Sequence, residues 1–264
     1  MITRPTSVLV VGATGSIGRL VVEESIREGY ATRALVRDPD KARRLPPGAE
    51  IVVGDVTRPD TLPAAVAGID AVVFTLGSDG AGKIGAETVD YGGVRNVLIG
   101  LGAQPARAAL MTSIGVTNRA GAYNQATEAH DWKRRSERLI RASGRPYTIV
   151  RPGWFDNNQR DELRLVLLQG DTRWAGDPSD GAVARRQIAQ VLVRSLGSEA
   201  AARKTFELVA ERGPAPADLD ILFTALEADP LGSLDGAHDV TNMPLTDEPQ
   251  QIRYDLRKVR DRET

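Results

Sequence analysis

The stretch from Val8 to Gly18, Val-Leu-Val-Val-Gly-Ala-Thr-Gly-Ser-Ile-Gly, restricts the fold of this chain more than any other. Val8 to Val11 are apolar and mostly β-branched, the pattern of a buried strand, and Ser16 to Glu28 has the pattern of a helix. A strand that passes through a glycine turn into a helix N-terminus is suited to hold a phosphate. The N–H groups of the first helical turn lack partners there, and the helix dipole favours negative charge. Gly12 permits the sharp turn, Gly15 lets a diphosphate approach the backbone, and Gly18 lets the helix pack closely. Thr14, Ser16 and Ile17 complete this predicted cradle. The spacing is Gly-x-x-Gly-x-x-Gly, looser than the usual dinucleotide fingerprint, and no Lys-Ser or Lys-Thr pair follows, so a mononucleotide phosphate loop is excluded.

Composition narrows the remaining choices. The 264 residues suffice for a large core, either as one α/β domain or as one with a small appended lobe. Lys plus Arg number 34 against 35 Asp plus Glu, a net charge of -1 that gives no overall case for nucleic-acid binding. Without cysteine there is no thiol chemistry or disulfide framework, and His130 and His238 are too few for a multi-histidine metal centre. No long apolar run suggests a membrane span, and the expected compartment is the cytoplasm.

In chain order, the second strand is expected at 32–36. Arg37 follows it where the adenosine ribose of a bound dinucleotide would lie, and a guanidinium there favours the 2'-phosphate of NADP, helped by Arg19 and Lys41. Asp38 keeps NAD in play. A third strand at 50–53 leads to Asp55 and Val56, candidate adenine contacts. A fourth at 71–75 ends in Thr75, Leu76 and Gly77, suited to pass beneath the cofactor. A helical pattern covers 87–100, and a fifth strand at 109–112 delivers Thr112 and Ser113. A charged helix at 127–142 reads as a largely solvated face, with Lys133 and Glu137 paired at i,i+4. A sixth strand at 147–150 leads to Arg151, Pro152 and Gly153. Strands alternating with helices imply right-handed crossovers and a parallel sheet whose ligands collect at the strands' carboxyl ends.

With Gly-Ala-Thr-Gly-Ser-Ile-Gly at 12–18, Ala-Leu-Val-Arg-Asp at 34–38, Gly-Asp-Val at 54–56 and Tyr-Thr-Ile-Val-Arg-Pro-Gly at 147–153, the chain resembles the atypical short-chain dehydrogenase/reductases, the NmrA-like and isoflavone-reductase-like NAD(P)H-binding proteins. The resemblance is good over 7–155. It implies a Rossmann-type doubly wound parallel sheet at 1–155 and a small C-terminal substrate-side lobe at 156–264, with one late strand at 205–209 returning to the core. It also implies a reductase of a small organic carbonyl, quinone or enone. The family's active tyrosine and lysine stand four residues apart on one helix. Lys133 matches the lysine, but Ala129 occupies the tyrosine position, so the standard proton relay cannot be assigned. His130, Tyr123 or Lys133 itself remain as proton donors, with Ser113 or Thr112 to hold a carbonyl oxygen. A non-catalytic NADP-binding sensor and an NAD-assisted epimerase or dehydratase stay open as alternatives.

The substrate pocket is expected between the glycine turn and 154–180. Trp154 and Phe155 would form its wall beside the nicotinamide-contacting Pro152-Gly153 turn, and Asn158 would orient a polar group. Beyond this, the pattern suggests helices at 163–169, 183–196 and 219–228, the second capped by Ser179-Asp180-Gly181. The charged segment 249–264 reads as a frayed tail or an arm on a partner. Helices near 87–100 and 127–142 would supply a four-helix dimer seam, leaving monomer and homodimer both open.

Overall fold

In a computed structural model that describes residues 4–78 and 80–262, β1 (Ser7–Val11) lies inside an eight-stranded sheet. The other strands are β2 (Ala31–Val36), β3 (Glu50–Val53), β4 (Ala71–Phe74), β5 (Arg107–Met111), β6 (Tyr147–Pro152), β8 (Arg164–Leu168) and β10 (Lys204–Glu211). Their order is β3-β2-β1-β4-β5-β6-β10-β8. Every pairing is parallel except that of the edge strand β8 with β10. The chain is therefore a doubly wound Rossmann-type sheet, with its direction of progression reversing between β1 and β4. At such a reversal the strand ends leave a crevice for a ligand. A separate two-stranded ribbon pairs β7 (Trp154–Phe155) with β9 (Ala182–Val183).

Alternation along β1 feeds two cores. Val8 and Val10 point into the layer holding Val21 and Val22 of α1 (Gly18–Arg27) and Ile188 and Leu192 of α8 (Arg185–Ser195). Leu9 and Val11 point into the opposite layer, with Val94 and Val97 of α5 (Gly92–Leu101) and Leu139 and Ile140 of α7 (Ala129–Ala142). Shorter helices are α2 (Pro39–Ala42), α3 (Pro63–Val66), α4 (Gly82–Gly85), α6 (Ala122–Thr127) and α9 (Leu219–Thr224). Between α4 and α5 the helix runs through a π-turn at Ala86–Tyr91, which buries Asp90 and Tyr91.

Three expectations fail here. The segment 163–169 is a strand, not a helix: Leu165 to Leu168 face Glu207 to Ala210 across an antiparallel ladder, and sheet pairing overrides the helix propensity of its leucines. The helix at 127–142 is not a solvated face, because Arg134, Arg135, Glu137, Arg138 and Arg141 are all buried. The tail is neither frayed nor free. It forms α10 (Gln250–Asp261), which packs Ile252, Leu256 and Val259 into the core beside α5 and α7; the last two residues lie outside the described ones.

The last two failures share a cause. The chain from Asp229 onward lies along α7 and brings it carboxylates. Arg141 meets Asp229 at 3.0 Å, Arg138 meets Asp235 at 2.9 Å and Arg135 meets Glu248 at 2.8 Å. Asp255 of α10 reaches back to Arg95 at 3.2 Å and accepts from the Tyr91 hydroxyl at 2.9 Å. The outer face of the expected dimer seam is thus covered by the chain's own C-terminal segment.

Candidate functional site

The glycine turn is held from behind. Gly12 has φ +88°, and a Cβ there would stand 2.8 Å from the Thr75 carbonyl oxygen. A Cβ on Gly18 would lie 2.0 Å from the Gly12 oxygen, so the helix start is pressed against its own turn. Thr75 donates to the Val11 carbonyl at 3.1 Å, which makes it a brace for the turn. The Gly15 N–H closes the loop on Gly12 O at 3.0 Å. The N–H groups of Thr14, Ser16 and Ile17 have no hydrogen-bond partner among the described residues. No side chain caps α1, and its first turn holds no acidic residue. These donors, unspent and unopposed, fit an anionic diphosphate.

The side chains of Arg37 at the end of β2, Arg19 in the first turn of α1 and Lys41 in α2 make no hydrogen bond or ion pair among the described residues. One oxygen of the Asp38 carboxylate caps α2, accepting from the Asp40 N–H at 3.0 Å. Asp55 is partly used as well, accepting from the Thr57 N–H at 2.9 Å and its hydroxyl at 2.8 Å. Val56 is buried: its side chain packs where a Cβ on Gly93 would meet it at 3.0 Å, and its carbonyl accepts from Asn96 at 2.8 Å. Leu76 also packs against Gly93, while Gly77 is exposed.

At the carboxyl ends of β5 and β6 the expected residues separate into spent and unspent groups. The Thr112 hydroxyl donates to Glu137 at 2.7 Å, so it is not free to hold a substrate oxygen. Lys133 pairs with Asp90 at 2.8 Å and not with Glu137. Glu137 is instead locked to Arg151 at 2.7 Å and to Arg141 at 3.4 Å. The backbone at Pro152 and Gly153 is used too, since Pro152 O accepts from the Ile114 N–H at 3.0 Å and the Gly153 N–H donates to Leu208 at 2.9 Å. Gly153 is required by the Gly181 carbonyl, 2.3 Å from where a Cβ would sit.

Among the expected site residues, Ser113 Oγ and His130 Nδ1 are buried with no partner. The His130 ring packs on the loop after β5, its Cε1 3.6 Å from a Cβ position on Gly115. Burial, reinforced by the Lys133 ammonium, lowers this imidazole to about 4, so it is neutral near pH 7. Helix α7 starts only after Glu128, whose φ is +55°, and Asn124 caps it by accepting from the His130 and Asp131 N–H groups at 3.0 and 3.1 Å. This break lets Tyr123, exposed on α6, place its ring 5.1 Å from that of His130. Ala129, at the family's tyrosine position, is buried.

Trp154 is partly exposed and Phe155 half-buried, so both can wall a pocket. Asn158 lies elsewhere: its amide reaches Glu162 O and Gln187, in a groove of about 580 Å³ between the loop after β7 and α8. A larger groove of about 700 Å³ is lined by Leu62, Ile99 and Tyr254 and by none of the expected site residues.

The sequence reading missed Asp171, which clasps the loop after Ser113 by accepting from the Gly115 and Thr117 N–H groups at 2.6 and 2.7 Å. It also missed Arg185, whose Nε donates to Ser16 Oγ at 3.2 Å. The available signal was Arg185-Arg186 at the start of a helix, where two cations oppose the dipole. Asp180, expected to cap that helix, accepts instead from the Ala175 and Gly176 N–H groups, both at 2.7 Å.

A family model described as NAD(P)H-binding matches residues 12–199. The photosystem II assembly factor Ycf39 of Cyanophora paradoxa is 30% identical over 216 residues, 81% of this chain and 66% of that protein. The match thus spans just under two thirds of that relative's length. Among solved structures, ChuY, an anaerobillin reductase from Escherichia coli O157:H7, superposes with a TM-score of 0.61 at 22% identity, over 80% of this chain and 100% of that one. A short-chain dehydrogenase/reductase from Veillonella parvula DSM 2008, in complex with NADP, gives 0.59 at 15% identity, over 81% and 100%. At these identities the structures speak for the fold.

Proposed function

Because this chain belongs to the NAD(P)H-binding family, we propose that it is an NADPH-dependent oxidoreductase that reduces a small planar quinone or enone. The dinucleotide supplies the hydride when bound. The free N–H groups of Thr14, Ser16 and Ile17 seat its diphosphate, and the unpaired Arg37, with Arg19 and Lys41, takes the 2'-phosphate.

The observation that carries the reading is that Ser113 Oγ and His130 Nδ1 are buried and unpartnered, with the His130 ring packed on the loop that follows Ser113. A buried polar group without a partner costs about 1–3 kcal/mol, a cost recovered when a substrate oxygen arrives. Ser113 donates a hydrogen bond to that oxygen, and neutral His130 supports it by hydrogen bonding, since an imidazole at about 4 is a poor proton donor at neutral pH. With Ala129 in place of a phenol, the site lacks a strong acid for an alkoxide. A quinone or enone avoids that need. Its reduced oxygen is phenol-like or enol-like, with a proton affinity near that of tyrosine at about 10, and takes its proton from water.

The test is turnover with a panel of quinones, enones and aldehydes. Quinones or enones should be reduced in preference to aldehydes, and Ser113→Ala should lower kcat/KM about 10- to 100-fold. Unchanged turnover in Ser113→Ala removes the residue from the site. One observation favours a second reading, a non-catalytic NADP-binding factor: the family lysine, Lys133, is already neutralised by buried Asp90. NADPH binding with no reduction anywhere in the panel would select it.

A further inference from the structure

Arg185 stands at the mouth of the glycine turn although it belongs to the far half of the chain. Helix α8 packs along α1, with Arg186 meeting Glu23 at 3.1 Å, and this carries the first residue of α8 to the first turn of α1. The Arg185 side chain then bridges two elements. Its Nε donates to Ser16 Oγ at 3.2 Å, its Nη1 pairs with Asp156, and its guanidinium lies 5.1 Å over the Phe155 ring. Asp156 also accepts from the Arg185 N–H at 2.9 Å and adopts φ +56° just beyond β7.

We propose that Arg185 is a diphosphate clamp held ready by Asp156, a reading that rests on the NAD(P)H assignment above. Ser16 carries both the hydroxyl that touches the guanidinium and one of the unspent N–H groups, so an anion seated on those amides comes within the guanidinium's reach. A planar fork of N–H donors matches phosphate oxygens, as an ammonium would not. Asp156, on the same rim, would repel the anion if left alone. Arg185 neutralises it, and because the pair is partly exposed its rearrangement costs little. The stacked Phe155 ring keeps the guanidinium over the cleft through this exchange, so the clamp also closes the rim toward the pocket wall.

Binding calorimetry on the full chain with NADP, ADP and adenosine 2'-phosphate tests this. Arg185→Gln should weaken NADP and ADP about 10-fold, the loss of one charge-assisted contact, and leave adenosine 2'-phosphate unchanged. Its salt dependence for ADP should become shallower. Asp156→Asn keeps the acceptor for the Arg185 N–H and should tighten ADP about 3-fold, so the two variants move affinity in opposite directions. Unchanged ADP affinity in Arg185→Gln, or weakened affinity in Asp156→Asn, overturns the clamp while wild-type binding upholds the cofactor reading. Wild-type protein that binds none of the three nucleotides overturns both.

Discussion

At the scale of single residues, cofactor choice turns on which charges near the end of β2 are spent. Asp38 uses one carboxylate oxygen to hold the Asp40 N–H at 3.0 Å and anchor the start of α2. Arg37 is exposed and unpaired. The balance favours a 2'-phosphate, and the expected outcome is at least about tenfold tighter binding of NADPH than NADH, a preference that Arg37→Ala abolishes. Equal affinities in the wild type would refute the assignment. The glycines illustrate how residue identity and residue reason diverge. Gly12 and Gly18 were legible as obligatory, and the Gly12 oxygen and Thr75 supply the contacts that make them so. For Gly153 the structure adds a reason the sequence does not show: the Gly181 carbonyl excludes a side chain there, and that carbonyl belongs to a turn that local pattern does not place.

At the scale of elements, parallel strands were the most legible feature, because burial on both faces leaves continuous apolar runs such as Val8–Val11 and Ala71–Phe74. The edge strand β8 was not, since its leucines carry no alternation that separates strand from helix. The break between α6 and α7 was equally hidden. Its Glu128 adopts the left-handed region without being glycine, and the cap comes from Asn124 four residues earlier. That conformation costs about 1–2 kcal/mol for an ordinary side chain, while the Lys83–Glu128 pair across it is exposed enough to contribute little. Glu128→Gly should therefore match or slightly exceed wild-type stability in urea, whereas Glu128→Val should lose about 1–2 kcal/mol, β-branched residues tolerating positive φ worst. A larger loss with glycine than with valine would show that the Glu128 side chain, not its backbone, holds the junction. The junction bears on the site because it sets where His130 and Tyr123 stand relative to Ser113.

At the scale of the whole molecule, the chain from Asp229 to Asp261 completes a charge network that α7 opens, and this is why the charged helix misread as solvated. Its arginines looked unpartnered locally because their carboxylates lie about a hundred residues away in sequence, as with Arg138 and Asp235. At the centre, Arg151 is shared among Glu137 and Asp239, each at 2.7 Å, and Glu207 at 3.3 Å. The nearer pair takes most of its charge. Glu207, pushed up to about 8 by burial and by neighbouring Asp171, against the pull of Arg151, holds its proton near neutrality. Asp239 is held down to about 2, its burial outweighed by Arg151. The signs then fix a stability profile. Glu207 binds its proton more tightly folded than unfolded, so its contribution is complete below about 4.5 and is lost as pH rises through about 8. His130 has the opposite sign, its contribution present above about 6.5 and lost as pH falls through about 4. Asp239 adds a further loss from about 3.8 down to about 2. Between about 4.5 and 6.5 the slopes of Glu207 and His130 cancel. Urea unfolding across pH should accordingly show a plateau in that window, with stability falling on both sides. Glu207→Gln retains an oxygen for the Asp171 N–H, 3.2 Å from Glu207 Oε2, and cannot ionise, so it should flatten the alkaline limb between about 6.5 and 8 and turn the plateau into a continuation of the acid limb up to about 6.5, where His130 titrates uncancelled. An alkaline limb that survives this substitution would place the titration elsewhere and leave Glu207 ionised within the network.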